Sequence, residues 1–83
     1  MVNNKDQEPG RELPKDSRDV VNAQRRNFGF RYVWNKKGHP RLYAPNGGWQ
    51  TLSMTPSDKR GYKNMVAFVN RNGGEWPPGK GKR

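Results

Sequence analysis

The residue best suited to acid–base chemistry is His39, the single histidine of this 83-residue chain. It follows Lys36, Lys37 and Gly38 directly, and Arg41 lies two positions further on. An imidazole can take the proton of a ribose 2′-OH near neutral pH, and nearby cations offset the negative charge that develops on the attacked phosphate. This run predicts either a metal-independent ribonuclease centre at His39 or a polar turn residue that contacts phosphate or solvent.

A second basic group lies at the start of a predicted C-terminal helix. Lys59 and Lys63 are four positions apart and share one helix face, with Arg60 beside them. The positive end of the helix macrodipole adds attraction for phosphate there. The predicted nucleic-acid-binding residues are Lys36, Lys37, Arg41, Lys59, Arg60 and Lys63. The alternative for the helix group is a solvated basic face.

The charge balance indicates a polyanionic partner. Lys and Arg number 17 against 7 Asp and Glu, which gives a net charge of +10, and the positive excess lies after residue 16. RNA is the expected partner, with DNA as the alternative and no membrane, because an excess of this size attracts polyanions. The longest apolar run, residues 65–69, is far too short to cross a bilayer.

Several chemistries are excluded by composition. The chain has no Cys and one His, so neither a disulfide nor a Cys/His zinc site can form. It also has no glycine-rich phosphate loop of recognised spacing, and no cofactor or metal is expected. The absence of Cys and of an apolar N-terminal run predicts a soluble, cytoplasmic protein.

The pattern of apolar residues predicts an α+β fold of order α-β-β-β-α, with both helices on one face of a three-stranded antiparallel sheet. The predicted elements are a helix from Asp16 or Ser17 to about Arg26, strands over 28–34, 41–44 and 49–54, and a helix capped by Thr55. The expected core aromatics are Phe30, Tyr32, Trp34 and Phe68. Trp49, beside a turn, and Trp76 are expected to contact a ligand or partner instead.

Composition also predicts the domain boundaries. Residues 1–15 are polar and contain Pro9 and Pro14, which predicts a disordered arm. Residues 16–73 are expected to form the folded domain. Residues 74–83 are expected to form a basic flexible tail, because Pro77-Pro78 forbids helix there.

Several junction residues, in this order, resemble those of the HicA-like mRNA interferases of bacterial toxin–antitoxin systems. They are Gly29 before the first strand, Lys36-Lys37-Gly38-His39 between strands, Tyr43 closing the second strand, Pro45-Asn46-Gly47 at the hairpin tip, and Thr55-Pro56-Ser57-Asp58 before the last helix. The resemblance implies a fold related to double-stranded-RNA-binding domains, a catalytic role for His39 and an antitoxin partner. Similar domains occur in bacteriophages. The family usually has Ser or Thr between the glycine and the histidine, whereas here Gly38 precedes His39 directly.

Two other functions remain open. One is a catalytically inactive DNA- or RNA-binding regulator on the same scaffold. The other is a phage-encoded factor that binds a host protein, for which Trp76-Pro77-Pro78 could serve as a linear docking motif.

Overall fold

The chain folds as helix, three-stranded sheet and helix in a computed structural model that describes residues 6–35 and 38–78. The elements are α1 (Lys15–Phe28), β1 (Arg31–Val33), β2 (Arg41–Tyr43), β3 (Trp49–Thr51) and α2 (Lys59–Arg71). The strands form one antiparallel sheet in the order β1-β2-β3. This confirms the predicted α-β-β-β-α fold. Across the described residues, no helix combines the length and apolar character needed to cross a membrane.

α1 is held to the core by a narrow face. Its buried residues, Ser17, Val20, Val21 and Gln24, follow the i, i+3, i+4, i+7 spacing of one helix side. The helix begins after Pro14 without a side-chain cap, so the predicted Asp16 or Ser17 cap is wrong. Ser17 is instead buried within the helix, and α1 runs two residues beyond the predicted end at Arg26.

The helices cover one face of the sheet, and the other face is open to solvent except at Val33, which is buried. Tyr32, Leu42 and Gln50 lie directly opposite one another, and the first two are fully buried beneath the helices. Because side chains alternate along a strand, the remaining strand positions point to the other side. Those positions, here called the sheet face, are Arg31, Val33, Arg41, Tyr43, Trp49 and Thr51.

The core joins both helices to the covered face. Phe30 packs edge-to-face on Phe68 of α2, with 6.3 Å between ring centroids. Phe30, Tyr32 and Phe68 are buried, as predicted, whereas Trp34 is only partly buried against the core. The core residues are Leu13, Val20, Val21, Phe30, Tyr32, Leu42, Ala44, Leu52, Met65, Phe68 and Val69.

The start of α2 differs from the predicted one. The main-chain N–H of Asp58 donates to the carbonyl of Thr55 at 3.1 Å and closes a turn, so helix begins only at Lys59. Asp58 is the N-cap, and its carboxylate accepts the Gly61 N–H at 2.8 Å. A Cβ at Gly61 would lie 2.8 Å from Cβ of Ser53. Glycine is therefore required there by the close approach of the preceding loop.

Residues 6–14 belong to the folded domain, which corrects the predicted disordered arm over 1–15. Gln7 N–H donates to the carbonyl of Tyr32 at 2.8 Å, and Asp6 accepts the Tyr32 N–H at 3.1 Å. The Tyr32 hydroxyl donates to Glu12 at 2.6 Å, and Leu13 is buried. These hydrogen bonds satisfy main-chain groups on the outer edge of β1. A short polar segment can therefore cover this edge although it contains few apolar residues. Residues 1–5 lie outside the described part of the chain.

Residues 74–76 are also fixed on the domain, so the predicted flexible tail does not begin at residue 74. The buried amide of Gln24 donates to the Glu75 carbonyl and accepts the Glu75 N–H, both at 3.0 Å. The Asn70 amide makes a similar pair of bonds with the main chain of Trp76. The Trp76 indole then donates to the Tyr62 hydroxyl at 3.2 Å. Residues 79–83 lie outside the described residues.

Candidate nucleic-acid interface

His39 lies at the rim of the sheet, where β2 begins. The carbonyl of Pro40 accepts the Leu52 N–H at 2.8 Å, which extends the β2–β3 pairing and places His39 beside the loop that leads to α2. The exposed His39 side chain lines a hollow of about 320 Å³, called the His39 hollow. Asp58 and Asn64 line its opposite side. The fold therefore brings His39 to the start of α2.

The His39 hollow contains a fixed negative charge. The hydrogen bonds from Gly61 N–H and from the Ser53 side chain hold the pKa of Asp58 below its ordinary value, so its carboxylate is ionised near neutral pH. Within the described residues, the His39 side chain makes no hydrogen bond or ion pair. The imidazole is thus accessible but is not oriented by a neighbouring group.

The three basic residues of the helix start, Lys59, Arg60 and Lys63, are exposed and form what we call the helix-start surface. Arg60 does not line the His39 hollow itself, but it lies one turn before Asn64, which does, and its charge acts on Asp58 at the edge of that hollow. Lys59 and Lys63 instead line a second cleft, of about 330 Å³, which lies between the starts of the two helices. The three predicted cations are therefore divided between two sides of the helix.

Arg41, the other described member of the predicted set, lies apart from the helix-start surface. It projects from the sheet face, where its guanidinium carbon is 4.6 Å from the centroid of the Trp49 ring. Lys36 and Lys37 lie outside the described residues. The predicted set therefore falls into two groups on different elements.

The sheet face combines arginine with aromatic rings, which sequence reasoning missed. Arg31 lies 5.7 Å from the centroid of the Tyr43 ring, and the Tyr43 and Trp49 rings are 6.3 Å apart at 35°. Trp49 is 51% exposed, in keeping with its predicted position beside a turn. The strand alternation was visible in the sequence, but the register that places Arg31, Tyr43 and Trp49 in one row was not.

The positive charge of the helix-start surface and of Arg41 is not paired with acidic side chains in the ion pairs of the described residues. Within residues 6–35 and 38–78, the ion pairs are Lys15 with Asp19 and Arg25 with Asp6. Neither pair involves the helix-start surface or Arg41. Lys59, Lys63 and Arg41 are therefore available to phosphate, whereas the charge of Arg60 also acts on the Asp58 carboxylate. In the same described ranges, no cluster of three or more His, Cys, Asp or Glu residues could hold a metal ion.

Comparison of the chain with protein families, curated proteins and solved structures finds no match. The fold and the two basic surfaces are thus the basis for a functional proposal.

Proposed function

We propose that this protein is an RNA-binding domain that holds RNA through the helix-start surface and the His39 hollow. The observation that carries this proposal is the position of three exposed cations, Lys59, Arg60 and Lys63, in the first turns of a capped helix. Asp58, Gly61 and Asn64 of the same helix start line a hollow that also contains the one histidine of the chain.

The physical case rests on phosphate recognition. Cations within the first turns of a helix add to the positive end of its macrodipole, and phosphate binds where both act together. Folds of the α-β-β-β-α type that bind duplex RNA contact its backbone and 2′-hydroxyls across a groove and read shape rather than base sequence. A duplex RNA, met in the cytoplasm, is the ligand that this surface fits best.

A salt titration tests the proposal. The affinity for a blunt RNA hairpin is measured by fluorescence anisotropy between 50 and 200 mM salt, for the wild type and for the variant Lys59→Gln/Arg60→Gln/Lys63→Gln. Each lost phosphate contact reduces the slope of log K against log salt by about 0.7–0.9. Over this range the wild type should therefore lose about 20- to 40-fold more affinity than the variant.

The matched control removes three exposed arginines elsewhere, with Arg11→Gln/Arg26→Gln/Arg71→Gln, and so has the same net charge. Two of these residues lie in the last turns of their helices, away from the helix-start surface. The control should retain most of the wild-type salt dependence. An equal loss in both variants would show that only overall charge matters, and no binding at 50 mM salt would reject RNA as the ligand.

A second function, slow RNA cleavage, is favoured by the accessible imidazole in the His39 hollow. His39 would take the proton of a 2′-OH, the 2′-oxygen would attack the adjacent phosphorus, and the 5′-oxygen would leave with a proton from another donor. The products are a 2′,3′-cyclic phosphate and a 5′-OH. In this hypothesis Arg60, one turn before Asn64, would offset the charge on the phosphate.

The proton donor for the leaving group is not Tyr32. Its hydroxyl is buried and donates to Glu12 at 2.6 Å. Burial and that hydrogen bond raise the pKa of Tyr32 above its ordinary value. Tyr43 lies on the sheet face rather than in the His39 hollow. A lysine or water remains for this role.

The cleavage hypothesis is tested with His39→Ala in EDTA, on hairpin and single-stranded RNA. Removal of one general base should slow cleavage by about 10²–10⁴-fold while the gel shift persists. Intact RNA shifted equally by both proteins would reject the ribonuclease and leave an inactive RNA- or DNA-binding regulator. An antitoxin partner is expected only if cleavage occurs.

The host-factor alternative requires Trp76-Pro77-Pro78 to act as a free docking motif. Trp76 is instead partly buried, and its indole is bonded to Tyr62. Pro77 and Pro78 remain exposed. This arrangement favours RNA over a host protein as the partner.

A further inference from the structure

The sheet face carries a second kind of ligand chemistry, formed by aromatic rings and guanidinium groups. We infer that this face binds the unpaired bases of an RNA strand that continues from a duplex held at the helix-start surface. The inference rests on the proposed RNA-binding function and adds a substrate class to it, namely a duplex with a single-stranded extension.

The residue types on the sheet face match what unpaired nucleic acid requires. Bases stack on aromatic rings and on guanidinium planes, and arginine also attracts the phosphates between them. Tyr43 and Trp49 supply the rings, and Arg31 and Arg41 supply the cations. The other two strand positions are Val33 and Thr51, so no acidic residue projects from the strands of this face.

The groups are held in a fixed array. Tyr43 lies directly opposite Arg31 on one side and Trp49 on the other because the strands pair in that register. The Arg41 guanidinium lies over the Trp49 ring and also contacts the Tyr43 hydroxyl at 3.5 Å. A planar group held in this way loses little side-chain entropy when a base stacks on it.

Trp49 has no structural role that explains its position. It is absent from the hydrophobic core and from the partly buried residues that pack against the core. It is the exposed large hydrophobic residue of the described chain. A docking site for an apolar protein surface needs a contiguous apolar patch, whereas the Trp49 ring neighbours the Tyr43 ring and is otherwise bordered by Arg41 and Thr51. The basic surroundings of the ring favour a nucleic acid.

The sheet face is continuous with the His39 hollow. Thr51 lines the hollow and also pairs with Arg41 on the sheet. A strand that leaves a duplex beside His39 can therefore pass Thr51 and reach Arg41 and Trp49 without crossing an acidic strand position. Because the two surfaces are continuous, one RNA molecule could contact both, with its duplex at the helix-start surface and its unpaired bases on the sheet face.

The experiment compares two RNA ligands and three proteins. The first ligand is a blunt hairpin, and the second is the same hairpin with an unpaired extension, made once at the 5′ end and once at the 3′ end. The proteins are wild type, Trp49→Ala and Trp49→Phe. The wild type should bind an extended hairpin more tightly than the blunt one. Trp49→Ala should bind that extended hairpin about 5- to 150-fold more weakly than the wild type does, which corresponds to one stacked base.

Two controls separate stacking from folding. The blunt hairpin should bind equally to all three proteins, since Trp49 is outside the core. Trp49→Phe keeps an aromatic face and should retain most of the gain from the extension.

Three outcomes would overturn the inference. An extension that adds no affinity to the wild type would reject the sheet face as a binding site while leaving the proposed hairpin binding intact. Failure of the wild type to bind either RNA would reject both. A wild-type dimer that Trp49→Ala converts to a monomer, with RNA binding unchanged, would assign the face to a second copy of the chain.

Discussion

The helix-start surface and the sheet face are both basic, but their charges are embedded in different surroundings. Lys59, Arg60 and Lys63 project from one end of a helix, and in the described part of the chain none of them makes a cation–π contact. Arg41 instead lies 4.6 Å from the centre of an indole ring. The first arrangement favours phosphate, whereas the second favours the flat face of a base.

This difference shows that net charge alone describes such a protein poorly. Contacts to phosphate release counterions, so they weaken steeply as salt rises. Stacking itself adds no phosphate contact, so a face that binds partly by stacking should depend less steeply on salt than one that binds by phosphate contacts alone. The two surfaces should therefore be separable by ionic strength, although both contribute to the same charge of +10.

The largest expected effect comes from disabling both surfaces together. A variant that combines Lys59→Gln/Arg60→Gln/Lys63→Gln with Trp49→Ala should lose affinity for an extended hairpin by the product of the two separate losses. Sites without shared contacts are additive in free energy to within about 0.3–0.5 kcal/mol. Anisotropy titrations of the four proteins measure this. A combined loss much smaller than the product would mean that the two surfaces act as a single site.

A smaller effect is expected from Gly61→Ala, which should disturb the helix-start surface alone. The new Cβ would lie 2.7 Å from the Asp58 carboxylate and 2.8 Å from Cβ of Ser53. This overpacking costs typically about 1–3 kcal/mol, against a gain in helix propensity of about 1 kcal/mol. Blunt-hairpin affinity and the unfolding temperature should therefore fall, while the gain from the extension persists.

The control for Gly61→Ala is Asn64→Ala, one turn along the same helix at an exposed position. It improves helix propensity without overpacking, so its unfolding temperature should not fall. A more stable Gly61→Ala protein would show that the loop at Ser53 can move away at little cost.

The smallest expected effect is a loss of folding stability at acid pH. It arises from the carboxylates that hold residues 6–12 against the edge of the sheet. Burial raises the pKa of Asp6, but hydrogen bonds from the Arg25 guanidinium and the Tyr32 N–H outweigh this effect and hold the pKa below its ordinary value of 3.8. Burial likewise raises the pKa of Glu12, but hydrogen bonds from the Tyr32 hydroxyl and the Gly10 N–H hold that pKa below its ordinary value of 4.5. A carboxylate whose pKa is lowered in the folded state stabilises the fold at pH values above its ordinary pKa. This stability is lost as the pH falls through the lowered pKa of the folded state.

Thermal unfolding between pH 6 and pH 3 measures this loss. The wild type should lose more stability over that range than Asp6→Asn/Glu12→Gln, which has no such carboxylates to protonate. The variant should still decline somewhat, because the pKa of Asp58 is also lowered. Parallel curves for the two proteins would contradict the assignment of residues 6–12 to the sheet edge.

The element order could be predicted because apolar spacing alone determines it. Alternation placed Tyr32 in a strand and Phe30 on the same buried side, although β1 begins only at Arg31, and helical spacing placed Met65 and Val69 on one buried stripe. The packed N-terminal segment could not be predicted in this way. It is held by polar groups such as Asp6 and Gln7, which leave no periodic pattern in the sequence.

The candidate site was only partly predictable for a related reason. The residue types at the start of α2 indicated a cationic surface, but the cap lies at Asp58 rather than Thr55 because a turn precedes the helix. The stacking of Arg41 on Trp49 depends on the pairing of β2 with β3, which brings together residues eight positions apart. No local pattern shows which of several possible registers is formed.

The buried amide of Gln24 has a consequence for how the domain is made in the cell. Its partners belong to Glu75, 51 positions later in the chain. While the polypeptide is being translated, α1 can form early, but the Gln24 amide has no partner until Glu75 leaves the ribosomal tunnel. An unpaired amide in a closed core is costly. The nascent domain should therefore remain open on that side, and within reach of chaperones, until after its last core residue, Val69, has been synthesised.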